Sequence, residues 1–476
     1  MKILYYNWIQ FDKKNNEGGG VNIYQKNIIE ELIKDNNNDI YFLSSGIYYD
    51  FLKKKAYIKK SSNIYGKKCK SYKIINSTCV APAKAMYDDI DTYLNDNEMY
   101  ELLKEFIIEQ GGFDVIHFNN IEGLSAKCLQ IKKDFPNIKI IYSLHNYYLF
   151  CPQVNLFYNN KCNCEDFHEG ENCTKCLKNY IPQKNFLIFY KIDTIFEKLG
   201  LSNLSKRIKL FFKKIKGKQS KDYLDDTCCM KTTKQSFNRF RKVNVDNLNK
   251  YVDVIFSVSE RVKNIAIKMG VLEEKVITNY IGTKFAENSI DNANLKLNDN
   301  YLTIAYMGYF DKIKGFDFLM NTLNKLPNNI AEKINFLCYA KIKTAEDEGK
   351  VEQIEKLNTK LHFAKHYNGY THKELDDILA KINLGIVPVI WEDNLPQVAI
   401  EYAAHGVPVL ASDLGGAHEL SSSKYFVFKN NNAEDFTKKL TDIVNNKILL
   451  NDYFKKRKKL TTMKEHIDKL KYYYER

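Results

Sequence analysis

At 476 residues the chain is too long for one hydrophobic core, so two domains are expected. Its 44% hydrophobic and 27% charged content fits a folded globular protein, and the lack of any run of 18 apolar residues excludes a transmembrane helix. The formal charge of +14 points to an anionic partner (a phosphate-bearing donor, an acidic lipid surface or nucleic acid), while the abundance of Lys, Asn, Ile and Tyr accounts for it equally well.

The opening Met-Lys-Ile-Leu-Tyr-Tyr-Asn-Trp lacks the apolar stretch and small-residue cleavage site of a signal peptide and reads as a first strand, Lys2–Tyr6. A cytoplasmic location is therefore expected, where the eleven cysteines stay reduced and serve metal binding or packing. Gly18-Gly-Gly20 marks a turn, and residues 21–34 form an amphipathic helix. Val115–Phe118 and residues 138–144 read as buried strands. Residues 254–258 repeat that pattern, Ser259-Glu-Arg-Val262 caps a following helix, and residues 276–279 close the first half. Residues 283–298 are polar and Asn-rich, as a linker would be. The pattern restarts at Leu302–Gly308 and continues through residues 335–340, 361–363, 384–389 and 407–411. This alternation predicts an α/β protein with parallel sheets and crossover helices. The first domain spans residues 1–282, interrupted by a Cys-rich insert at 151–176 and a basic, helical insert at 180–250. The second spans 299–449, and 450–476 is helical in pattern.

The most informative stretch is Trp391-Glu-Asp-Asn-Leu-Pro-Gln-Val-Ala-Ile-Glu401. An apolar strand runs into a loop carrying Asp393, Pro396 stands where a helix can start, and Glu401 follows roughly 7–8 Å along the helix axis. A helix N-terminus flanked by two carboxylates suits a sugar nucleotide, with diphosphate in the middle and hydroxyls at either end. Gly18-Gly-Gly20 lets backbone approach a ligand ahead of another helix N-terminus. His145, in Ser143-Leu-His145-Asn-Tyr, follows an apolar strand and falls where open α/β sheets bind ligands.

Trp391 to Glu401 resembles the E-x7-E signature of family-4 glycosyltransferases, with Asp393 in place of the first Glu. The resemblance implies the GT-B fold: two facing Rossmann-like domains, with a C-terminal helix crossing back to the first. It implies transfer of a sugar from a nucleotide-sugar donor, with retention, to a glycan or lipid-linked glycan in cell-surface polysaccharide synthesis. Asp393 would contact the donor sugar, Glu401 the ribose, and His145 the sugar near the reacting carbon, although Asn146 stands where the family has Asp. Met307-Gly308-Tyr309-Phe-Asp311-Lys-Ile-Lys314-Gly315 matches the family's phosphate loop. Lys314 would neutralise the leaving diphosphate; Tyr309 occupies the position of an expected Arg. The leaving group is then held by one cation plus helix dipoles, or by a basic residue from elsewhere. The catalytic set implied is His145, Asp393 and Lys314, and the donor-binding set is Gly19, Gly20, Tyr309, Asn394, Leu395 and Glu401. Gly369-Tyr370 borders the base pocket, and Asp413-Leu-Gly415-Gly416 supports the donor site from beneath. No metal is expected at the reacting centre.

Cys151, Cys162, Cys164, Cys173 and Cys176 fall within 26 residues of a loop-like insert poor in apolar residues, so four of the five are expected to bind a structural zinc, with His168 as a substitute ligand. Residues 201–218 interleave Lys206, Arg207, Lys209, Lys213, Lys214, Lys216 and Lys218 with an apolar stripe. That pattern fits a helix lying on an anionic membrane, here the inner face of the plasma membrane, or one packed on its own domain. A non-catalytic GT-B-like binding subunit is the alternative to an enzyme. A zinc-dependent nucleic-acid binder is more distant, and no nucleic-acid partner is expected.

Overall fold

The computed structural model describes residues 1–11, 19–176, 182–198, 232–293 and 301–476. Gly18, the basic segment 201–218 and the last part of the linker, 294–298, lie outside the described residues. The first domain is built on β1 (Lys2–Tyr6), β2 (Asp39–Ser44), β3 (Tyr57–Ser61), β4 (Cys69–Ile75), β5 (Val115–Phe118) and β6 (Lys139–Leu144). A small hairpin of β7 (Phe157–Tyr158) and β8 (Cys162–Asn163) belongs to the Cys-rich insert, and β9 (Val254–Ser257) and β10 (Val276–Thr278) complete the main sheet. The spatial order is β10-β9-β6-β5-β1-β2-β4-β3, parallel except for β3 against β4.

The second domain contains β11 (Leu302–Gly308), β12 (Ile334–Ala340), β13 (Phe363–Tyr367), β14 (Leu384–Val387), β15 (Val409–Ser412) and β16 (Val427–Phe428). These six parallel strands lie in the order β13-β12-β11-β14-β15-β16, the 3-2-1-4-5-6 arrangement of a doubly wound dinucleotide-binding sheet. Its strands are near-continuous apolar runs, as burial on both faces demands; β11 is Leu-Thr-Ile-Ala-Tyr-Met-Gly with five buried residues in its middle. In this topology the order reverses between β11 and β14, and a crevice opens beyond their C-terminal ends.

Three departures from the sequence expectations have local causes. Strands β2, β3 and β4 were not anticipated, and lysines and serines interrupt β3 and β4. Those polar residues suit β3, an edge strand whose Lys59 and Lys60 are exposed. Strand β13 begins at Phe363 rather than 361, because Leu361 is a buried residue of the turn before it. Strand β14 stops at Val387, since Pro388 cannot donate to a ladder.

Five helices bear on the cleft and the core behind it: α1 (Gly19–Leu32), α2 (Lys234–Tyr251), α3 (Glu260–Lys268), α4 (Gln397–Ala404) and α5 (Met463–Tyr474). Helix α5 comes after the second domain in sequence but completes the core of the first. Met463, Ile467, Leu470 and Tyr474 recur at helical spacing and are buried with Ile3, Tyr5, Tyr24 and Ile28 of β1 and α1. A polar seam runs beneath this stripe. Tyr474 shares a hydrogen bond of 2.8 Å with Tyr5 and one of 2.5 Å with His117 Nδ1, whose Nε2 lies 2.8 Å from Ser143 Oγ. Burial holds the His117 pKa well below its usual value, so a neutral imidazole bridges the helix to β6. Leu470 is fully buried, so Leu470→Ala should destabilise the first domain by about 2–5 kcal/mol, read as an earlier denaturant midpoint. A loss below about 0.5 kcal/mol would show that α5 contributes little to that core.

Candidate active site

The loops after β11 and β14 meet at the switch point of the second sheet. Gly315 makes this possible: its φ is +77°, and a Cβ there would lie 1.7 Å from the Pro388 carbonyl oxygen, so no other residue fits. The contact presses the short helix Lys312–Lys314 onto the β14 loop, and Lys314 Nζ donates to Asp393 Oδ2 at 2.6 Å. The ammonium also lies 5.4 Å from the Trp391 ring centroid. Glycine shapes the other side as well. Gly415, at φ +66°, would place a Cβ 2.1 Å from the Asp393 carbonyl oxygen, and Gly416 N–H donates to that oxygen at 2.9 Å. Asp413-Leu-Gly-Gly therefore supports the Asp393 loop by close backbone approach.

Glu401 sits within α4 and is 6% exposed. Its Oε2 accepts from Tyr370 OH at 3.4 Å, and its Oε1 lies 3.3 Å from His372 Nε2. The Glu401 carboxylate raises the His372 pKa above its ordinary value, against a smaller opposing effect of burial. Asp393 and Asn394 are each 7% exposed, and Leu395 packs into the core beside them. Two buried donors of this loop, Trp391 Nε1–H and Asn394 Nδ2–H, have no hydrogen-bond partner among the described residues. Buried donors are nearly always satisfied, so this pair is free to take a polar partner, water or ligand. Tyr309 is 47% exposed and carries the Lys343 ammonium 3.8 Å above its ring centroid. A cation from the β12 side thus stands beside the position where Arg was expected.

The first domain faces this loop. His145 leaves the C-terminal end of β6, lies 4.6 Å from the Tyr24 ring, and places Nε2 at 3.0 Å from Asn119 Oδ1. Desolvation, with His466 nearby, pushes its pKa down to about 3, so His145 is a neutral imidazole at any working pH. Asn146 donates to buried Glu122 at 3.0 Å, and burial raises the Glu122 pKa. An Asp at position 146 would set a second carboxyl against that one, which accounts for the amide. Gly19 opens α1 with φ +57°, and the Gly20 carbonyl accepts from Gln397 Nε2 of α4 at 3.1 Å, so the glycine turn and α4 touch.

Three groups escaped the sequence reading. Asn119 ends β5 and orients His145; the strand-end rule that found His145 applies equally to it. Tyr147, two residues after His145, is buried near Glu392 and Asp393, and its hydroxyl has no partner among the described residues. Arg261 of α3 pairs with Glu392 across the cleft, its Nε donating to Oε2 at 2.8 Å. That pair spans 131 residues of sequence and left no local signal.

Of the clustered cysteines, Cys151, Cys164, Cys173 and Cys176 line one small cavity, whereas Cys162 is exposed and outside it. His168 is largely exposed beside Asp166 and outside that cavity. Among the described residues no three His, Cys, Asp or Glu side chains stand at coordinating geometry.

His372 gives a direct test of the Glu401 environment. A His with a raised folded pKa stabilises the fold below its unfolded value, and that contribution is lost as pH rises through the folded value. NMR titration of the His372 ring should give a pKa above 6.5, returning toward 6.5 in Glu401→Gln. An unchanged titration in that variant would place the carboxylate elsewhere.

Residues 287–461 match the model of the family Glycosyl transferases group 1. A protein from a Klebsiella pneumoniae cps region, described as an uncharacterized 41.2 kDa protein, is 26% identical over 180 residues, covering 37% of this chain and 47% of that relative. Among solved structures, Anabaena HepE in complex with UDP and glucose aligns over 99% of this chain and 98% of that one at 12% identity, with a TM-score of 0.55. Sucrose-phosphate synthase from Thermosynechococcus elongatus aligns over 99% and 94% at 13% identity, with a TM-score of 0.56. The whole chain therefore has the GT-B fold, and residues 287–461, which carry Lys314, Asp393 and Glu401, are similar to the group 1 glycosyl transferases.

Proposed function

We propose that this protein is a retaining, family-4-type glycosyltransferase that moves a sugar from a nucleotide-sugar donor to a glycan or lipid-linked glycan in cell-surface polysaccharide synthesis. The observation that carries the reading is the group at the switch point: Lys314 on Asp393 at 2.6 Å, two unpartnered donors on Trp391 and Asn394, and buried Glu401 in the helix that starts there. The family match over this domain supports it, as do the UDP and glucose held by the Anabaena protein and the cps setting of the Klebsiella relative.

In this reading Glu401 holds the ribose hydroxyls, Asp393 orients the donor sugar, and neutral His145 contacts the sugar from the first domain. Lys314, with the N-terminus of α4, counters charge growing on the leaving diphosphate. Lys343 supplies further positive charge beside Tyr309. By resemblance to the family, no metal ion takes part at the reacting centre. The alternative of a non-catalytic binding subunit rests on Tyr309 and Asp393, where the family has Arg and Glu.

A panel of nucleotide sugars screened by thermal shift identifies the donor; hydrolysis and transfer are then measured for wild type and variants. Glu401→Ala should weaken binding of the nucleoside diphosphate by roughly 1.5–3 kcal/mol. Asp393→Ala should spare that binding and depress turnover. Lys314→Ala should lower turnover more than ground-state affinity, as differential stabilisation requires. Full activity in all three would remove the site from this loop; donor binding without turnover in wild type would favour the binding subunit.

No helix among the described residues is long and apolar enough to cross a membrane. From its sequence alone, the basic segment 201–218 is proposed to dock the enzyme on the anionic inner face of the plasma membrane. Co-sedimentation with liposomes should rise with anionic lipid and fall with salt. Binding indifferent to lipid charge, or unchanged when Lys213, Lys214 and Lys216 become Glu, would defeat this.

A further inference from the structure

Cys151, Cys164, Cys173 and Cys176 reach one cavity of about 20 Å³ from three pieces of chain: the turn after β6, the end of the β7–β8 hairpin, and the short helix Glu171–Cys176. The volume suits one small particle. Hydrogen-bond donors converge on three of the four sulfurs. The backbone N–H groups of Gln153 and Leu156 approach Cys151. Asn159 N–H and Gln153 Nε2 donate to Cys176 at 3.0 and 2.6 Å, and Arg241 Nη2 donates to Cys173 at 2.5 Å. Cys164 alone is a donor, to the Asp166 carbonyl at 3.6 Å. A neutral thiol is a weak acceptor, whereas backbone amides aimed at sulfur are the outer shell of a metal-bound thiolate.

The surrounding chain combines a few buried anchors, Leu156 and Phe157, with strained backbone. Val154, Leu156, Asn159, Asn160, His168 and Glu169 all adopt positive φ, costly for Val154 in particular. Such backbone persists only when its surroundings over-determine it, and the four thiols share the cavity with Phe157, Phe167 and Arg241.

We propose that Cys151, Cys164, Cys173 and Cys176 are the four ligands of a structural zinc ion, with Arg241 as its countercharge. Each thiol releases its proton to solvent and gives a sulfur lone pair to the metal, with no change of oxidation state. The tetrathiolate centre carries a net charge of about −2, and the Arg241 guanidinium, fixed by the Phe150 carbonyl at 2.9 Å and stacked on Phe167, offsets half of it. Binding requires the four side chains to adjust from thiol contacts to a common tetrahedral centre. Cys162 remains outside, although it lies two residues from a ligand.

The test is elemental analysis of the full-length chain purified under reductant without added metal. About one zinc per chain is expected, retained in Cys162→Ser and falling below about 0.2 in Cys164→Ser. Because Cys164→Ser can misfold, cobalt substitution of the wild type gives an independent readout: sulfur-to-cobalt charge-transfer bands and tetrahedral d–d bands of a four-thiolate site. Metal-free protein with a protease-resistant insert overturns the proposal. So do iron in place of zinc, disulfides among these cysteines by mass spectrometry, and loss of zinc in Cys162→Ser. None of these outcomes depends on donor turnover.

Discussion

The structure turns on how the Trp391–Pro396 loop is held. Its backbone is gripped from below by Gly415 and Gly416, close enough that a side chain on either would collide with it. From the first domain, Ser259 Oγ donates to the Asn394 carbonyl at 2.8 Å while Arg261 grips Glu392. Glu419 of the second domain accepts the first-turn amides of α3, Glu260 N at 2.9 Å and Arg261 N at 2.6 Å, and Tyr280 OH at 2.7 Å. A carboxylate at a helix N-terminus is a favourable placement, and here the helix, capped by its own Ser259, takes that carboxylate from the other domain. The domains cannot part without exposing those amides, stranding Arg261 and loosening the loop that carries Asp393. The contact between the domains and the loop that carries Asp393 thus share Ser259, Arg261 and Glu392.

The Cys-rich insert joins this arrangement. Asn163, between Cys162 and Cys164 on β8, donates to the Ile390 carbonyl at 3.3 Å. The insert therefore leans on the strand end that feeds the donor loop. Helix α5 does comparable work at the back, where the Tyr5–Tyr474–His117–Ser143 seam ties the chain's last helix to its first strand. Buried groups in such a seam are costly if left unpaired, so it fixes the position of α5 more sharply than an apolar stripe alone.

What could be read from sequence depends on the range of the interaction. Val115–Phe118 and Leu302–Gly308 were legible to the residue, because burial on both faces demands a mostly apolar run, interrupted here only by His117 and Thr303. The β14 loop and α4 were legible because Asn-Leu-Pro and two acids announce a helix entrance locally. The edge strand β3 and its neighbour β4 were not, since lysines and serines interrupt both. Nor were Arg261 with Glu392 or Glu419 on α3, whose partners lie more than a hundred residues apart and meet only when both domains are built. Tyr309 marked an incongruity at the phosphate loop, but the Lys343 ammonium beside it comes from beyond β12 and obeys no spacing rule.

The Lys314–Asp393 pair then has a consequence for chemistry. Each group satisfies the other, so neither charge is left bare in a loop where Asp393 is nearly buried. On the proposed reading a donor splits this pair: the diphosphate draws the ammonium, and the sugar hydroxyls take the carboxylate. Breaking the pair opposes ground-state binding, while negative charge developing on the departing diphosphate strengthens its attraction to Lys314. An interaction that strengthens between ground and transition state accelerates the step rather than merely tightening the complex. On the same reading, the Trp391 and Asn394 N–H groups, without a partner among the described residues, would contact the donor with no internal pair to break. The site thus separates groups that hold the donor from the pair that responds as its bond breaks.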